Sequence, residues 1–242
     1  MLSFFTLWLS AMIGASFSRR GQKLEEKRED IGVILAATLT LLGLIIGFTF
    51  SMAIERYDQR KNYEEAEANA IGTEYVRADL LPATDAARVR ALLGKYLDQR
   101  VLFYMTRDKQ RLAQINAHTA QLQAELWSAV KEPAATQPTP IVALAVSGMN
   151  DVLNSQGYTQ AAWWNRIPME AWSLMAAIAI CCNLLIGYGA RDAKGGPILL
   201  LVLPLVVSIS FCLIADIDSP RGGVIRVNPQ NLISLSESLH AH

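Results

Sequence analysis

An apolar run without a charged side chain, Ile31 to Ile54, passes with no turn signal into the highly charged segment Glu55–Asp79. No proline occurs from Ile31 to Leu81, and the few glycines there are isolated. The hydrocarbon core of a bilayer takes about 20 residues of apolar helix. Lipid offers no partner to backbone N–H and C=O groups, so a single segment that crosses it satisfies them as a helix. The stretch Leu41–Pro82 therefore predicts one long helix that leaves a membrane and continues into water.

Two later runs pass the same length test. Residues 171–190 and 195–215 carry no charged side chain. Residues 2–18 form a fourth, shorter apolar segment, containing Phe4, Phe5, Trp8 and Phe17. Its basic residues, Arg19 and Arg20, follow the apolar run, whereas a signal peptide has its positive region first. A short, tilted or half-inserted helix is favoured over a cleaved signal. The expected organisation is all-α. Residues 1–54 form a first transmembrane hairpin, with spans at about 2–18 and 31–54. Residues 55–168 form a helical soluble domain, and residues 169–217 a second hairpin with spans at about 170–190 and 196–216. Residues 218–242 form a tail.

Charge narrows the partners. Lysine plus arginine and aspartate plus glutamate number 22 each, so no net basic surface calls for nucleic acid. The three cysteines, Cys181, Cys182 and Cys212, all fall in predicted spans and read as small packing residues rather than a disulfide or zinc set.

The soluble block has helical spacing. Val89, Leu92, Leu93, Tyr96, Leu97 and Val101 recur at steps of three and four, and Leu112, Ile115, Leu122, Leu126 and Trp127 continue the pattern. Thr84 is a candidate cap for a helix starting at Asp85. Pro133–Pro140 reads as a loop, Ile141–Leu153 as a short helix, and Gly157 and Pro168 as breaks. Within the spans, Gly43 and Gly47 make a GxxxG step that permits close helix approach. Pro204 is expected to kink the last span. Asn183, polar and deep in the third span, is expected to hydrogen-bond across helices.

The stretch Gly47–Tyr57 (GFTFSMAIERY) resembles the second-span signature of bestrophin anion channels: a Gly-Phe pair, then an arginine eight residues after the Phe, then an aromatic residue. Phe50–Tyr57, Glu67–Thr73 (EANAIGT), Arg77–Pro82 (RADLLP) and Asp216–Gly223 (DIDSPRGG) are more similar still to a divergent bacterial group, the bestrophin-like domain proteins. The resemblance covers most of residues 31–230. It implies four transmembrane helices with a helical domain between the second and third. It further implies a homo-oligomer, a pentamer in bestrophins, with the second helix lining a central pore for small anions such as chloride. Thr40, Leu44 and Phe48 fall four apart on one face of that helix and would form the constriction. Ser51 and Arg56 would stand at the pore mouth. The location implied is a bacterial inner membrane.

Read without the family, Arg56 has other uses near a span end: snorkelling to headgroups or pairing with an acid. Glu65, Asn69, Thr73 and Arg77 recur every four residues and form one polar stripe. That stripe is either a solvated face with i,i+4 pairs or a seam between domain and spans that docks Asp216, Asp218 and Arg221. The resemblance implies a calcium-binding acidic region here, as in bestrophins, but Asp216 and Asp218 are only two alternating acids, short of the six or more oxygens calcium takes, so no metal is expected. His118 stands alone, and no zinc, phosphate-loop or nucleophile-elbow motif occurs. Neither a cofactor nor an enzymatic role is expected. Orientation stays open: the basic link 18–31 reads as cytoplasmic by positive-inside logic, which places the domain outside if both first helices span. The resemblance places the domain in the cytoplasm, and that reading is favoured. Two functions fit these features: an anion channel with its pore along the second helix, or a non-conducting membrane scaffold or sensor whose helical domain binds a partner.

Overall fold

A continuous 50-residue helix, α2 (Arg28–Arg77), dominates the architecture. At 1.5 Å per residue it is roughly 75 Å long. The structure, a computed structural model, describes residues 2–20, 28–189 and 196–241. The other helices are α1 (Leu2–Arg20), α3 (Ala83–Met105), α4 (Lys109–Thr136), α5 (Pro140–Trp164), α6 (Met169–Gly189), α7 (Gly196–Asp218) and α8 (Gln230–His240), with one 3-10 turn at Ala78–Leu80 among the described residues. The protein is all-α, and no strand occurs among the described residues.

The buried positions of α2 explain its length. Leu42, Thr49, Ala53, Arg60, Glu64, Glu67, Ile71 and Glu74 are all buried. They follow one another at steps of three, four or seven, so they form one slowly winding stripe. Its chemistry changes along the helix, apolar in the first half and charged in the second.

The chain forms two compact units, Met1–Glu55 with Arg166–Ser219, and Arg56–Asn165 with Pro220–His242. In the first, α1 packs on α6 and α7. The crossing of α1 and α6 depends on two glycines. A Cβ at Gly14 would lie 2.1 Å from the Leu184 carbonyl oxygen, and one at Gly187 would lie 1.9 Å from that of Ala11. Absent side chains let these backbones meet. Gly43 and Gly47, the pair the sequence offers for such a contact, have open space at the Cβ position. Met175, Ala179 and Cys182 of α6 pack with Leu7, Val207 and Phe211. Trp172 meets Phe211 edge-on, ring centroids 6.1 Å apart. Asn183 is fully buried, but its Nδ2 donates to the Ala179 carbonyl of its own helix at 2.8 Å rather than to another helix. An amide folded back along its own helix reaches the i−4 carbonyl, so the bond needs no neighbour. Asp218 closes this unit: its carboxylate accepts the Ile167 N–H at 3.2 and 3.3 Å.

Three described helical stretches are long and apolar enough to cross a membrane, within Ile31–Leu80, Pro140–Gly189 and Leu200–Asp218. The apolar part of α1, Leu2–Phe17, is shorter.

In the second unit α3, α4 and α5 pack in sequence around Tyr96, Phe103, Leu126, Met149 and Trp163. Asp108 caps α4, its Oδ1 accepting from the N–H of Gln110 at 2.6 Å and Arg111 at 3.2 Å. Thr139 caps α5 through the Val142 N–H at 3.2 Å, with Pro140 at the first helical position.

The helices here run further than the sequence punctuation suggests. Residue Pro133 lies inside α4, near its end, where its missing N–H forfeits one bond rather than the helix. The break expected over residues 133–140 shrinks to 137–139. Helix α5 continues through Gly157 to Trp164, because its buried face (Val152, Ser155, Thr159, Ala162) stays in register. Helix α3 starts at Ala83 after Pro82 with no side-chain cap, so Thr84 does not cap it. Trp127 is partly exposed rather than core. The expected tail holds a helix, α8, whose Leu232 is buried.

Candidate functional site

Within the apolar half of α2, one face is left uncovered by the chain's own helices. Thr40, Leu44, Phe48 and Ser51 are exposed, Leu44 at 53% and Phe48 at 63%. Steps of four and three keep them on one side, since four residues advance about 40° past a full turn. Leu42, Thr49 and Ala53 on the other side are buried. The Thr40 hydroxyl donates to the Ala36 carbonyl at 2.9 Å, so it turns its methyl rather than a free O–H outward. Gly43 and Gly47 add open space nearby. Arg56, past the end of the run, is half-buried.

The charged half of α2 organises the second unit. Glu67 and Arg100 are both fully buried and form an ion pair. The Glu67 carboxylate also accepts from Thr159 Oγ1 at 3.1 Å and Tyr104 Oη at 3.4 Å. The Arg100 guanidinium lies 4.4 Å from the Phe103 ring centre. Burial pulls the Arg100 pKa down, yet the Glu67 charge outweighs it and the net shift is upward. Burial and the same Glu67 push the Tyr104 phenol up. A buried pair holds when its remaining lone pairs are satisfied, and Glu67 receives donors from α3 and α5 at once.

Glu64, one step earlier on the same face, caps α8. Its Oε1 accepts the Leu232 N–H at 3.0 Å and its Oε2 the Asn231 amide at 2.7 Å. The start of α8 has Pro229 at its cap with no side-chain hydrogen bond, so a carboxylate from another helix supplies the acceptor there.

The stripe read from the sequence, Glu65–Asn69–Thr73–Arg77, lies beside this buried one. Glu65, Asn69 and Thr73 are exposed and Arg77 is half-buried. Asn69, Thr73 and Arg77 line a groove of about 570 Å³ shared with Asn231 and Ser234 of α8. Arg221, from the motif after α7, sits elsewhere in the same unit. It donates to the Phe103 carbonyl at 2.6 Å and that of Thr106 at 2.9 Å. Its guanidinium lies 4.1 Å from the Trp163 ring centre and 4.4 Å from that of Phe103. Burial first, and Arg100 second, lower its pKa to about 10. Asp216 is half-buried and Asp218 buried, both in the unit that holds α6 and α7.

The sequence reading missed the interior acids Glu64, Glu67 and Glu74. The signal was present: Arg60, Glu64, Glu67, Ile71 and Glu74 keep alternating steps of four and three, which suits a continuous packing seam better than a strict four-residue step. Among the described residues no group of three or more His, Cys, Asp or Glu is placed to hold a metal ion.

Residues 3–232 match the bestrophin-like domain family. No curated protein matches the chain by sequence. The fold is similar to crystal structures of a bacterial bestrophin homolog from Klebsiella pneumoniae. One, solved by zinc phasing, aligns with TM-score 0.70 at 13% identity over 98% of this chain and 97% of that one. A point mutant aligns with TM-score 0.71 at 12% identity over 100% and 98%. The long second helix, the helical unit inserted after it and the match over nearly the whole chain lead to one assignment: the protein belongs to the bestrophin-like domain family.

Proposed function

We propose that this protein is an anion channel of a bacterial inner membrane, a homo-oligomeric ring, five-fold as in bestrophins, with α2 facing a central path. The observation that carries the reading is the uncovered face of α2 at Thr40, Leu44, Phe48 and Ser51. Large apolar side chains left outside the chain's own packing face either lipid or a lumen, and the likeness to a bestrophin homolog favours the lumen. Leu44 and Phe48 then form the narrow part. An apolar constriction gates by dewetting, and the ring edge of Phe48 presents partial positive charge to a passing anion. Ser51 and Arg56 stand at the mouth, where a cation attracts anions. The helical unit lies in the cytoplasm.

Purified protein in liposomes tests this with a chloride efflux assay. Wild type is expected to release chloride, and Phe48→Ala to change the rate by widening the constriction. The detergent-solubilised complex is expected to have about five times the chain's mass. A well-folded oligomer that passes no chloride would overturn the proposal.

A further inference from the structure

The groove between α2 and α8 is left unexplained by conduction along α2. It is an open groove of about 570 Å³, a volume inside the range of small-ligand sites. Its apolar lining includes Ala68, Val76 and Leu235. Its polar lining, Asn69, Thr73, Arg77, Asn231 and Ser234, includes one cation and no acid. Among the described residues no carboxylate holds Arg77 in an ion pair. Glu64 engages the Asn231 amide but does not line the groove.

Arg77 lines the groove and also reaches Gly148 of α5, where a Cβ would lie 2.7 Å from Arg77 Nη1 and 2.1 Å from Glu74 Oε2. The carboxyl of Glu74, on the same helix, is fully buried with no hydrogen-bond partner among the described residues on either oxygen. Burial pushes its pKa up to about 8 against the pull of Arg77, which favours the neutral acid beside the guanidinium. Asp151 of α5, exposed, adds to the upward shift of Glu74 and is not part of the groove lining. The groove's shape depends on Gly72, where a Cβ would lie 3.2 Å from Leu235 Cδ1.

We propose that the α2–α8 groove binds a small organic anion, a carboxylate or phosphate monoester carrying an apolar group, with Arg77 as its charge partner and Thr73, Asn69 and Ser234 as hydrogen-bonding neighbours. A planar guanidinium suits either head group, since each offers two oxygens. The apolar lining residues accept the rest of the molecule.

Titration calorimetry on the full chain in an uncharged detergent, at pH 7 and constant chloride, tests this with benzoate and with phenyl phosphate. Saturable binding of at least one probe is expected. Arg77→Gln should weaken it about tenfold, the worth of one charge-assisted contact. Ser234→Trp, at an exposed position, should block binding by filling the groove while leaving the unfolding temperature unchanged. Arg88→Gln, which alters an exposed pair with Glu132, should bind as wild type does. If wild type binds neither probe, or Arg77→Gln binds as tightly, the proposal fails. It also fails if Ser234→Trp lowers the oligomer mass and neither probe binds, because a second copy then fills the groove. None of these readouts uses ion flux, so the outcome is independent of conduction.

Discussion

Gly148 of α5 stands against the carboxyl of Glu74 on α2: a Cβ at Gly148 would lie 2.1 Å from Glu74 Oε2. The same Cβ would be 2.7 Å from Arg77 Nη1. The missing side chain lets α5 cover a carboxyl that water would otherwise hydrate. An ionised group in that position loses its solvation, so the neutral acid is favoured.

Gly148→Ala is accordingly expected to destabilise the protein. Alanine gains about 1 kcal/mol of helix propensity over glycine. Three atoms of Glu74 and Arg77 stand within 3.0 Å of its Cβ, and overpacking of that kind costs about 1–3 kcal/mol. The net result is a lower unfolding temperature in detergent. An unchanged or higher temperature would show that Glu74 and Arg77 move aside freely.

Glu74 makes stability depend on pH. Its folded pKa, about 8, lies above the ordinary value of 4.5. Between those values the unfolded chain has released the proton and the folded chain retains it, so stability falls as pH rises and levels off above about 8. Glu74→Gln removes this dependence. Unfolding temperatures taken from pH 5 to pH 9 should show the advantage of the Gln variant growing across the window. Parallel curves would rule the effect out.

The Glu67–Arg100 pair is expected to be costly to break and less costly to replace. Glu67→Gln leaves a fully buried guanidinium without its counter-charge, at about 3–5 kcal/mol. Glu67→Leu combined with Arg100→Met removes both charges and should recover most of that loss. A double-mutant cycle on thermal unfolding measures the difference. If the double variant is as unstable as Glu67→Gln, the pair is needed for its hydrogen bonds to Thr159 and Tyr104 rather than for its charge balance.

The glycines of the membrane unit should separate into two kinds. Gly187→Ala places a Cβ 1.9 Å from a backbone oxygen of α1, which no side-chain rotation relieves, and should cost about 3 kcal/mol or more. Gly47→Ala meets nothing within 4 Å in its own chain and should leave protomer unfolding unchanged or slightly later. Recovery of the folded species by size exclusion after heating distinguishes them.

The helical, membrane-crossing character of the chain was legible in the residues alone. Ile31–Ile54 is long, uncharged and free of proline, and lipid leaves such a segment one backbone solution. The continuation through Glu55–Arg77 was legible as well, because nothing in it stops a helix. The order of charged residues also held the clue to the interior acids, but only in combination with the apolar positions that share their face. Which stripe of α2 turns inward was decided by tertiary packing. A four-residue step selected Glu65–Asn69–Thr73–Arg77, yet α3, α5 and α8 supply partners to Glu64 and Glu67 and leave Asn69 and Thr73 exposed. Gly14 and Gly187 lie far apart in sequence and become a close crossing only when α1 meets α6. Pro133 and Gly157 look like stops locally, and the buried faces of α4 and α5 carry the helices past them. Local chemistry set the type of element throughout, whereas the choice of buried face depended on partners distant in the chain.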